Sequence, residues 1–310
     1  MTDARFLQIH TLHSYSAALL NRDDSGLAKR IRYGGAIRTR VSSQCLKRHW
    51  RKAEDDPHAL AQIADVEISV RSRNLIDEKV FGDELRERFS HDVLNALKTW
   101  FNYAVYGGNE SKKPSKLGTA VPTDDRSKRQ TLLLGVPELE WLTGEASKLA
   151  SEAQGDAEAA FNLGKKWEAD FKKNIKEMRE SAQRPGGIAS ALFGRMVTSD
   201  TAANIDAPIH VAHSFTVHEE ETESDYFTAV DDLKRDDDDS GADTIQETEL
   251  MSGLFYGYVV IDIPGLVSNL TGQDQNKWLS PDTDRTMAAE VVHNLIYLIA
   301  EISPGEKLGS

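Results

Sequence analysis

The sequence predicts an α+β fold, a ferredoxin-like domain enlarged by a helical insertion and by a two-stranded arm. Three patterns favour this assignment. Strand-like segments occur towards both ends of the chain, and each region also contains an amphipathic helix. Residues 54–190 have apolar residues at helical spacing with charged opposite faces, as expected for an inserted helical subdomain. Residues 219–249 are densely acidic yet include the strand-forming cluster DYFTAV.

The composition is that of an ordinary globular protein of 310 residues, with 39% hydrophobic and 28% charged residues. No run approaches the roughly 18 apolar residues that a membrane span needs. The N-terminus lacks the basic start and apolar stretch of a secretory signal. Cys45 is the single cysteine, which is too few for an internal disulfide or a cysteine zinc site. We therefore expect a cytoplasmic protein with no cofactor, no metal and no membrane contact.

The first predicted strand is RFLQIHTLHS, residues 5–14, in which side chains alternate between two faces. Two pairs of histidines, His10 with His13 and His210 with His213, have a spacing that also occurs among metal ligands. Because no third ligand accompanies either pair, the sequence favours histidines of a sheet face or of the core.

Positive charge is concentrated in RIRYGGAIRTRVSSQCLKRHWRK, residues 30–52, which holds eight Lys or Arg and no acidic residue. Residues 1–53 carry a net charge of +8, whereas the whole chain has −13. Such segregation produces a local positive field that the overall pI of about 5.2 conceals. The segment is either a solvated face or a binding surface for an anionic partner, and its local chemistry favours the second.

Within this segment, AIRTRV predicts a strand with an apolar face and a basic face that contains Arg38 and Arg40. SSQCLKRHWRKA predicts a helix that begins after Ser42 or Ser43 and docks on the core through Leu46, Trp50 and Ala53. A capped helix N-terminus offers backbone N–H groups and a positive dipole end to a phosphate. The residues on the adjoining flank are Gln44, Lys47 and Arg51.

The preceding segment, LLNRDDSGLAKR, adds Arg22 and Lys29 on a predicted loop. Asp23 and Asp24 have two interpretations. Paired carboxylates could bind a divalent metal and activate water. An Asp-Asp-Ser-Gly run is more often a turn closed by local hydrogen bonds, and we favour that interpretation.

The second half predicts a strand at residues 208–218, with one face shared by Ile209, Val211, His213, Phe215 and Val217. Residues 219–249 hold fourteen Asp or Glu against Lys234 and Arg235, which indicates a two-stranded arm with a solvated acidic tip. A strong strand, SGLFYGYVVIDI, and an amphipathic helix, RTMAAEVVHNLIYLIAEI, follow. This order of elements is that of a ferredoxin-like or RNA-recognition-motif domain with large insertions.

The segment LLNRDDSGLAKRIRYGGAIRTRVSSQCLKRHWRK, followed in order by GRMVTSD, YFTAVDDL and SGLFYGY, resembles the CasC-type backbone subunit of type I-E CRISPR Cascade, the Cas-seven family. The resemblance covers nearly the whole chain. It implies a modified RNA-recognition-motif palm (1–53, 191–218 and 250–310), a mainly helical finger insertion (54–190) and an acidic β-hairpin thumb (219–249). Family members usually continue beyond PGEKLGS, so we expect a C-terminally truncated form.

The resemblance also implies partners and site residues. The partners are CRISPR RNA, target DNA through the guide, other copies of the chain, and the large, small, repeat-processing and guide-end-capping subunits of Cascade. With the basic strand included, the predicted RNA-binding residues are Arg22, Lys29, Arg38, Arg40, Ser42, Ser43, Gln44, Lys47, Arg51, Arg195 and Met196. Met196 would lie beside a kinked nucleotide. The predicted wedge of the thumb is Tyr226, Phe227 and Val230.

The sequence therefore predicts a non-catalytic subunit that polymerises head to tail on guide RNA and presents it to target DNA. One alternative is a metal-dependent ribonuclease of the type III backbone kind, which would use Asp23 or Asp24. Another is a free-standing RNA-binding regulator, which would be a monomer without need of a long acidic arm. For Met196, packing in a core remains an equal alternative.

Overall fold

The fold comes from a computed structural model that describes residues 4–63, 69–106, 113–118, 129, 131–170, 187–195, 204–229 and 244–305. For residues 226–229 and 244–247 only the backbone is described. The chain forms two compact units. Unit 1 comprises Met1–Ile63, Ile209–Ile263 and Ala289–Ser310, and unit 2 comprises Ala64–Pro208 and Pro264–Ala288.

Helices and antiparallel strands are mixed along the chain, which confirms the α+β class. The described strands are β1 (Phe6–Ala18), β2 (Arg30–Tyr33), β3 (Ala36–Val41), β4 (Ser69–Ser72), β5 (Leu132–Gly135), β6 (Ile209–Val211), β7 (Ser214–Thr216), β8 (Glu221–Ala229) and β9 (Thr244–Asp262). The described helices are α1 (Ser43–Lys52), α2 (Asp83–Arg88), α3 (His91–Val105), α4 (Val136–Glu152), α5 (Ala157–Ala169), α6 (Gly187–Phe193), α7 (Ile263–Thr271) and α8 (Thr286–Glu301). None of these helices is long and apolar enough to cross a membrane.

The long strand β9 organises the sheet of unit 1. The strand order is β1-β9-β7-β3-β2, and β6 and β8 also pair with β9. Gly257 of β9 lies opposite Thr11 of β1, where a Cβ atom would come within 2.5 Å of the Thr11 hydroxyl oxygen. The expected strands at 5–14, 36–41 and 252–263 and the expected helices at 43–53 and 285–302 are confirmed, with shifts at their ends.

Helices α1 and α8 pack on one face of this sheet. Trp50 of α1 and Ile299 of α8 are buried and line the same cavity as Phe255 of β9. The spacing of apolar residues on α1 therefore predicted its buried side correctly. The opposite face is open on β1, where Phe6 and Leu12 are 51% and 64% exposed.

Residues 208–218 do not form one continuous strand. β6 pairs Val211 with Val259, whereas β7 pairs Phe215 with Tyr256. One extra residue therefore lies on the β6–β7 side of the ladder, which is the geometry of a β-bulge.

The bulge reverses the alternation of side chains. The prediction that Ile209, Val211, His213, Phe215 and Val217 share one face is wrong, because each residue beyond the bulge points to the opposite side. Ser214 and Thr216 take the buried positions of β7, at 8% and 0% exposure. His213 lies in the bulge itself, and its ring reaches the start of α1.

Strands β8 and β9 pair antiparallel from Glu221 opposite Ser252 to Ala229 opposite Thr244. Beyond the end of β1, this part of β9 pairs with β8, so the two form a two-stranded ribbon, as the sequence predicted. The acidic tip and the predicted wedge residue Val230 lie outside the described residues.

The described part of unit 2 is mainly helical, with a short β4–β5 ladder. The expected single helical pattern at 83–105 divides, because Ser90 has extended backbone angles between α2 and α3. Trp100 and Phe101 of α3 are fully buried, and the Phe101 ring stacks on Trp167 of α5 with centroids 3.9 Å apart. The loop predicted at 106–125 lies largely outside the described residues.

Two helical glycines of unit 2 form a matched test of this packing. A Cβ atom on Gly164 of α5 would lie 2.8 Å from Trp100, whereas on the exposed Gly144 of α4 it would meet nothing within 4 Å. We expect Gly164→Ala to lower the free energy of unfolding by about 1–3 kcal/mol through overpacking. Gly144→Ala should raise it by up to about 1 kcal/mol through helix propensity.

Urea denaturation of the two variants checks this. An equal effect of both substitutions would contradict the close approach of α5 to Trp100.

Candidate nucleic-acid interface

The N-terminus of α1 is held by three side chains. Asn21 Oδ1 accepts the backbone N–H of Ser42, and the Ser42 hydroxyl accepts the N–H of Cys45, as an N-cap does. His213 Nδ1 accepts the N–H of Ser43 at 3.0 Å. The helix start is therefore fixed to the bulge between β6 and β7 and to the segment that follows β1.

His213 lies among three cations. Partial burial, together with the positive charges of Arg40, Lys29 and Lys47, lowers the pKa of His213. Its ring is consequently neutral at pH 7, and this leaves Nδ1 free to accept the hydrogen bond from Ser43. The cations come from a loop, a strand and a helix, and all three lie close enough to the ring for their charges to act on it.

Backbone hydrogen bonds bring the loop at 21–29 to this point. Lys29 N–H donates to Asn21 C=O at 2.9 Å, and Arg40 N–H donates to Lys29 C=O at 2.8 Å. Arg22 forms a β-bridge with Ala28 in the same loop. Arg22 is therefore next in the chain to Asn21, which helps to cap α1, and the backbone of Lys29 is bonded to that of Asn21.

The carboxylate of Asp23 closes this loop. Its Oδ1 accepts the N–H groups of Ser25 and Leu27, at 2.9 and 3.0 Å. Gly26 has a φ of +85°, which suits glycine in a tight turn. This is the local turn that the sequence favoured for the Asp-Asp-Ser-Gly run.

The flank of α1 carries the remaining predicted contacts. Gln44 is exposed, and Lys47 and Arg51 are half-buried one and two turns further on. Arg48 and Lys52 are exposed, and Lys52 forms an ion pair with Glu54 at 3.1 Å. The helix therefore presents two pairs of cations, of which Lys47 belongs to the cluster around His213.

Several cations of the basic segment have partners within the protein. Arg38 donates to the backbone carbonyl groups of Tyr33 and Thr216, and Arg40 Nε donates to that of Arg30. Hydrogen bonds to carbonyl groups orient a guanidinium without neutralising its charge. Arg38 therefore links β3 to β7 through the carbonyl group of Thr216, in addition to any external contact.

The sequence did not identify the role of Arg30. It forms ion pairs with Glu220, just before β8, and with Glu249 of β9, the latter at 2.6 Å. These carboxylates raise the pKa of Arg30. The base of the two-stranded ribbon is thus tied to β2. Arg30 is 190 residues from Glu220 and 219 residues from Glu249, so local sequence patterns could not predict these ion pairs.

The predicted RNA-binding serines lie at the start of α1, where the sequence placed the N-cap. Ser42 and Ser43 are 7% and 9% exposed, and the first-turn N–H groups of Ser43 and Cys45 bond within the protein. These groups therefore build the start of the helix. We treat the side chains beyond them as the interface.

Arg195 lies in unit 2 and is 6% exposed. Its guanidinium bonds both carboxylate oxygens of the fully buried Glu138 at 2.6 Å, and its backbone bridges Ile205. This geometry joins Arg195 to Glu138 within unit 2, and the RNA contact predicted for Arg195 stays a prediction. Met196 lies outside the described residues, and only the backbone of Tyr226 and Phe227 is described, within β8.

The comparisons with known proteins agree on one family. A family model described as CT1975-like protein matches residues 7–310 of the chain. A solved CRISPR RNA-guided surveillance complex, pre-nicking, contains a similar chain with a TM-score of 0.67 and 28% identity; the match covers 97% of this chain and 73% of that one. A second CRISPR RNA-guided surveillance complex has a TM-score of 0.57 and 25% identity, covering 96% and 72%. No curated protein sequence matches the chain.

Replacing His213 tests the anchoring of α1. At pH 7.5, His213→Ala should lower the free energy of unfolding by about 1 kcal/mol, because the N–H of Ser43 would be left without an acceptor. The native-state pKa of His213 is below that of the unfolded chain, so its contribution is complete above the ordinary value near 6.5 and declines as the pH falls below it. The difference from the unsubstituted protein should therefore shrink at pH 5.5.

The control is His210→Ala, an exposed histidine three residues earlier on β6. Denaturation curves at both pH values are the measurement. A pH-independent difference, or the same result with His210→Ala, would refute the assigned role of His213.

Proposed function

Since the chain belongs to the CT1975-like family and is a Cas-seven-type backbone subunit, we propose that it binds CRISPR RNA within a Cascade-type surveillance complex. The observation that carries this proposal is the convergence of Lys29, Arg40 and Lys47 around the anchored start of α1. We assign the complex to type I-E on the motifs of the sequence. The remaining proposed contacts to the guide are Arg22, Gln44 and Arg51.

The chemistry of this cluster suits a sugar-phosphate backbone. Lysine and arginine side chains contact phosphate oxygens irrespective of the base attached to them. Guide-RNA complexes leave the choice of sequence to base pairing, so the protein needs to hold the backbone and leave base edges accessible. Gln44 adds an exposed amide that can hydrogen-bond a phosphate or a 2′-hydroxyl group.

The neutral state of His213 keeps the basic side chains of α1 in position. A protonated imidazole would have no acceptor at Nδ1 and would release the N–H of Ser43. The three surrounding cations favour the neutral ring and so preserve the anchor. The positive charge that attracts RNA thus also maintains the hydrogen bond that orients α1.

In this proposal the described β8–β9 ribbon is the base of a thumb on a modified RNA-recognition-motif palm, and unit 2 supplies the finger. Glu221, Glu223 and Asp225 are exposed on β8, so the ribbon is unsuited to phosphate. The predicted wedge formed by Tyr226, Phe227 and Val230 would act on the pairing of guide and target.

Copies of the chain are proposed to assemble head to tail on the guide. The exposed acids of β8 on one copy and Arg48 with Lys52 on the next have opposite charge, and a heterologous contact of this kind propagates into a filament. The attraction would steer assembly and weaken with ionic strength. The large, small, repeat-processing and guide-end-capping subunits complete the proposed complex.

The proposed role is non-catalytic. The interactions of the Asp23 carboxylate with Ser25 and Leu27 support a turn at the position that a ribonuclease of the type III backbone kind would use. Incubating the RNA-bound protein with Mg²⁺ and complementary RNA tests this. Cleavage that Asp23→Asn or Asp24→Asn abolishes would establish the ribonuclease instead.

The main test compares two double variants of α1. Lys47→Ala with Arg51→Ala should weaken binding to guide RNA about tenfold or more, whatever the guide sequence, because two cations no longer meet phosphate. The slope of log K against log salt should fall by roughly 0.7 for each phosphate that the protein no longer neutralises, as for single strands.

Arg48→Ala with Lys52→Ala removes the same charge from the other side of the helix and serves as the control. On short RNA that holds one copy, it should leave affinity and slope nearly unchanged. Equal weakening in both double variants would show that only the overall charge of α1 matters, and the proposed interface would be rejected.

A further inference from the structure

A second cluster of polar side chains lies in unit 1 at the end of α8. Asp56 and His58 come from the loop after α1, and Glu301 ends α8. Each offers one ligand atom, and the three atoms lie within 4.8 Å of one another. The sequence predicted a metal-free chain, and this cluster joins residues from distant parts of it.

From this arrangement we propose that Asp56, His58 and Glu301 bind one divalent transition-metal ion of the Zn²⁺ type. The proposal concerns the integrity of unit 1 and is independent of RNA binding. A neutral imidazole nitrogen with two carboxylate oxygens is a donor set that Zn²⁺ accepts, whereas Mg²⁺ favours oxygen ligands in octahedral geometry.

The distance between the first two ligands fits such an ion. His58 Nδ1 lies 3.5 Å from the Asp56 Oδ1 atom. Two ligands at about 2.0–2.1 Å from a tetrahedral ion are separated by roughly 3.4 Å. Glu301 is exposed at the end of its helix, so its side chain can change rotamer to supply the third ligand.

The imidazole of His58 is held in place, and no described residue hydrogen-bonds its Nδ1 atom. Its Nδ1 atom is buried and has no hydrogen-bond partner within the described part of the chain. The ring stacks on Tyr297 with centroids 3.9 Å apart and an interplanar angle of 2°, and His293 meets its edge. The aromatic contacts fix the ring, and a buried nitrogen without a partner is unfavourable.

The carboxylates are equally unmatched by cations. In the described structure, no Lys or Arg forms an ion pair with Asp56 or Glu301. The Asp56 Oδ1 atom accepts the backbone N–H of His58 at 2.7 Å, which holds the carboxylate beside the ring. Glu301 lies at the C-terminal end of α8, where the negative end of the helix dipole favours a cation.

A metal ion here would fasten the loop after α1 to α8. Because the folded chain assembles the three ligands and the unfolded chain does not, binding would stabilise unit 1. It would also hold the loop at the C-terminal end of α1, whose N-terminal end is held by His213.

The test uses the full chain after treatment with a chelator, without RNA. Isothermal titration with Zn²⁺ should give one ion per chain with a dissociation constant in the micromolar range or below, and Zn²⁺ should raise the melting temperature by several degrees. Mg²⁺ should do neither. His58→Ala and Glu301→Gln should each weaken binding at least tenfold.

The matched controls are Asp55→Asn, next to Asp56, and Glu290→Gln on α8, both of exposed residues. They should bind Zn²⁺ as the unsubstituted chain does. If His58→Ala does not fold, Glu301→Gln at the exposed helix end still decides the question. Absence of Zn²⁺ binding, or binding that neither ligand variant weakens, would overturn the proposal.

Discussion

The hydrogen bond that His213 Nδ1 accepts from the N–H of Ser43 sets the position of the basic helix. It joins a bulge between β6 and β7 to the first turn of α1. A helix start leaves N–H groups that need partners, and His213 supplies one of them. With Asn21 and Ser42, His213 fixes the helix and, through it, the direction of Lys47.

Charge segregation in this acidic chain has two structural consequences. Part of the basic segment serves internal contacts: Arg30 pairs with Glu220 and Glu249 at the base of the ribbon, and Arg38 bonds backbone carbonyl groups. Arg40 and Lys47 of the segment, with the preceding Lys29, lie close enough to His213 for their charges to act on its ring. The concentration of positive charge therefore both joins the acidic ribbon to the sheet and forms the proposed RNA contact.

Local patterns predicted the elements that carry the site. Alternation at 36–41 and the Ser42 cap with Trp50 two turns along the helix were sufficient for β3 and α1, because both depend on neighbouring residues. The bulge escaped prediction because apolar residues at alternate positions from 209 to 217 look like one strand. Sequence spacing also could not predict the contacts of Arg30 or the cluster of Asp56, His58 and Glu301, since only tertiary packing brings those residues together.

An electron cryo-microscopy structure of the protein assembled on CRISPR RNA would test the proposed interface most directly. We expect phosphate oxygens within about 3 Å of the Lys29 and Lys47 amino groups, with the Ser43 N–H still bonded to His213. Guide bases should remain free of side-chain hydrogen bonds on their pairing edges. RNA that instead crosses the open face of the sheet, with Lys29 and Lys47 directed into solvent, would contradict the proposed interface.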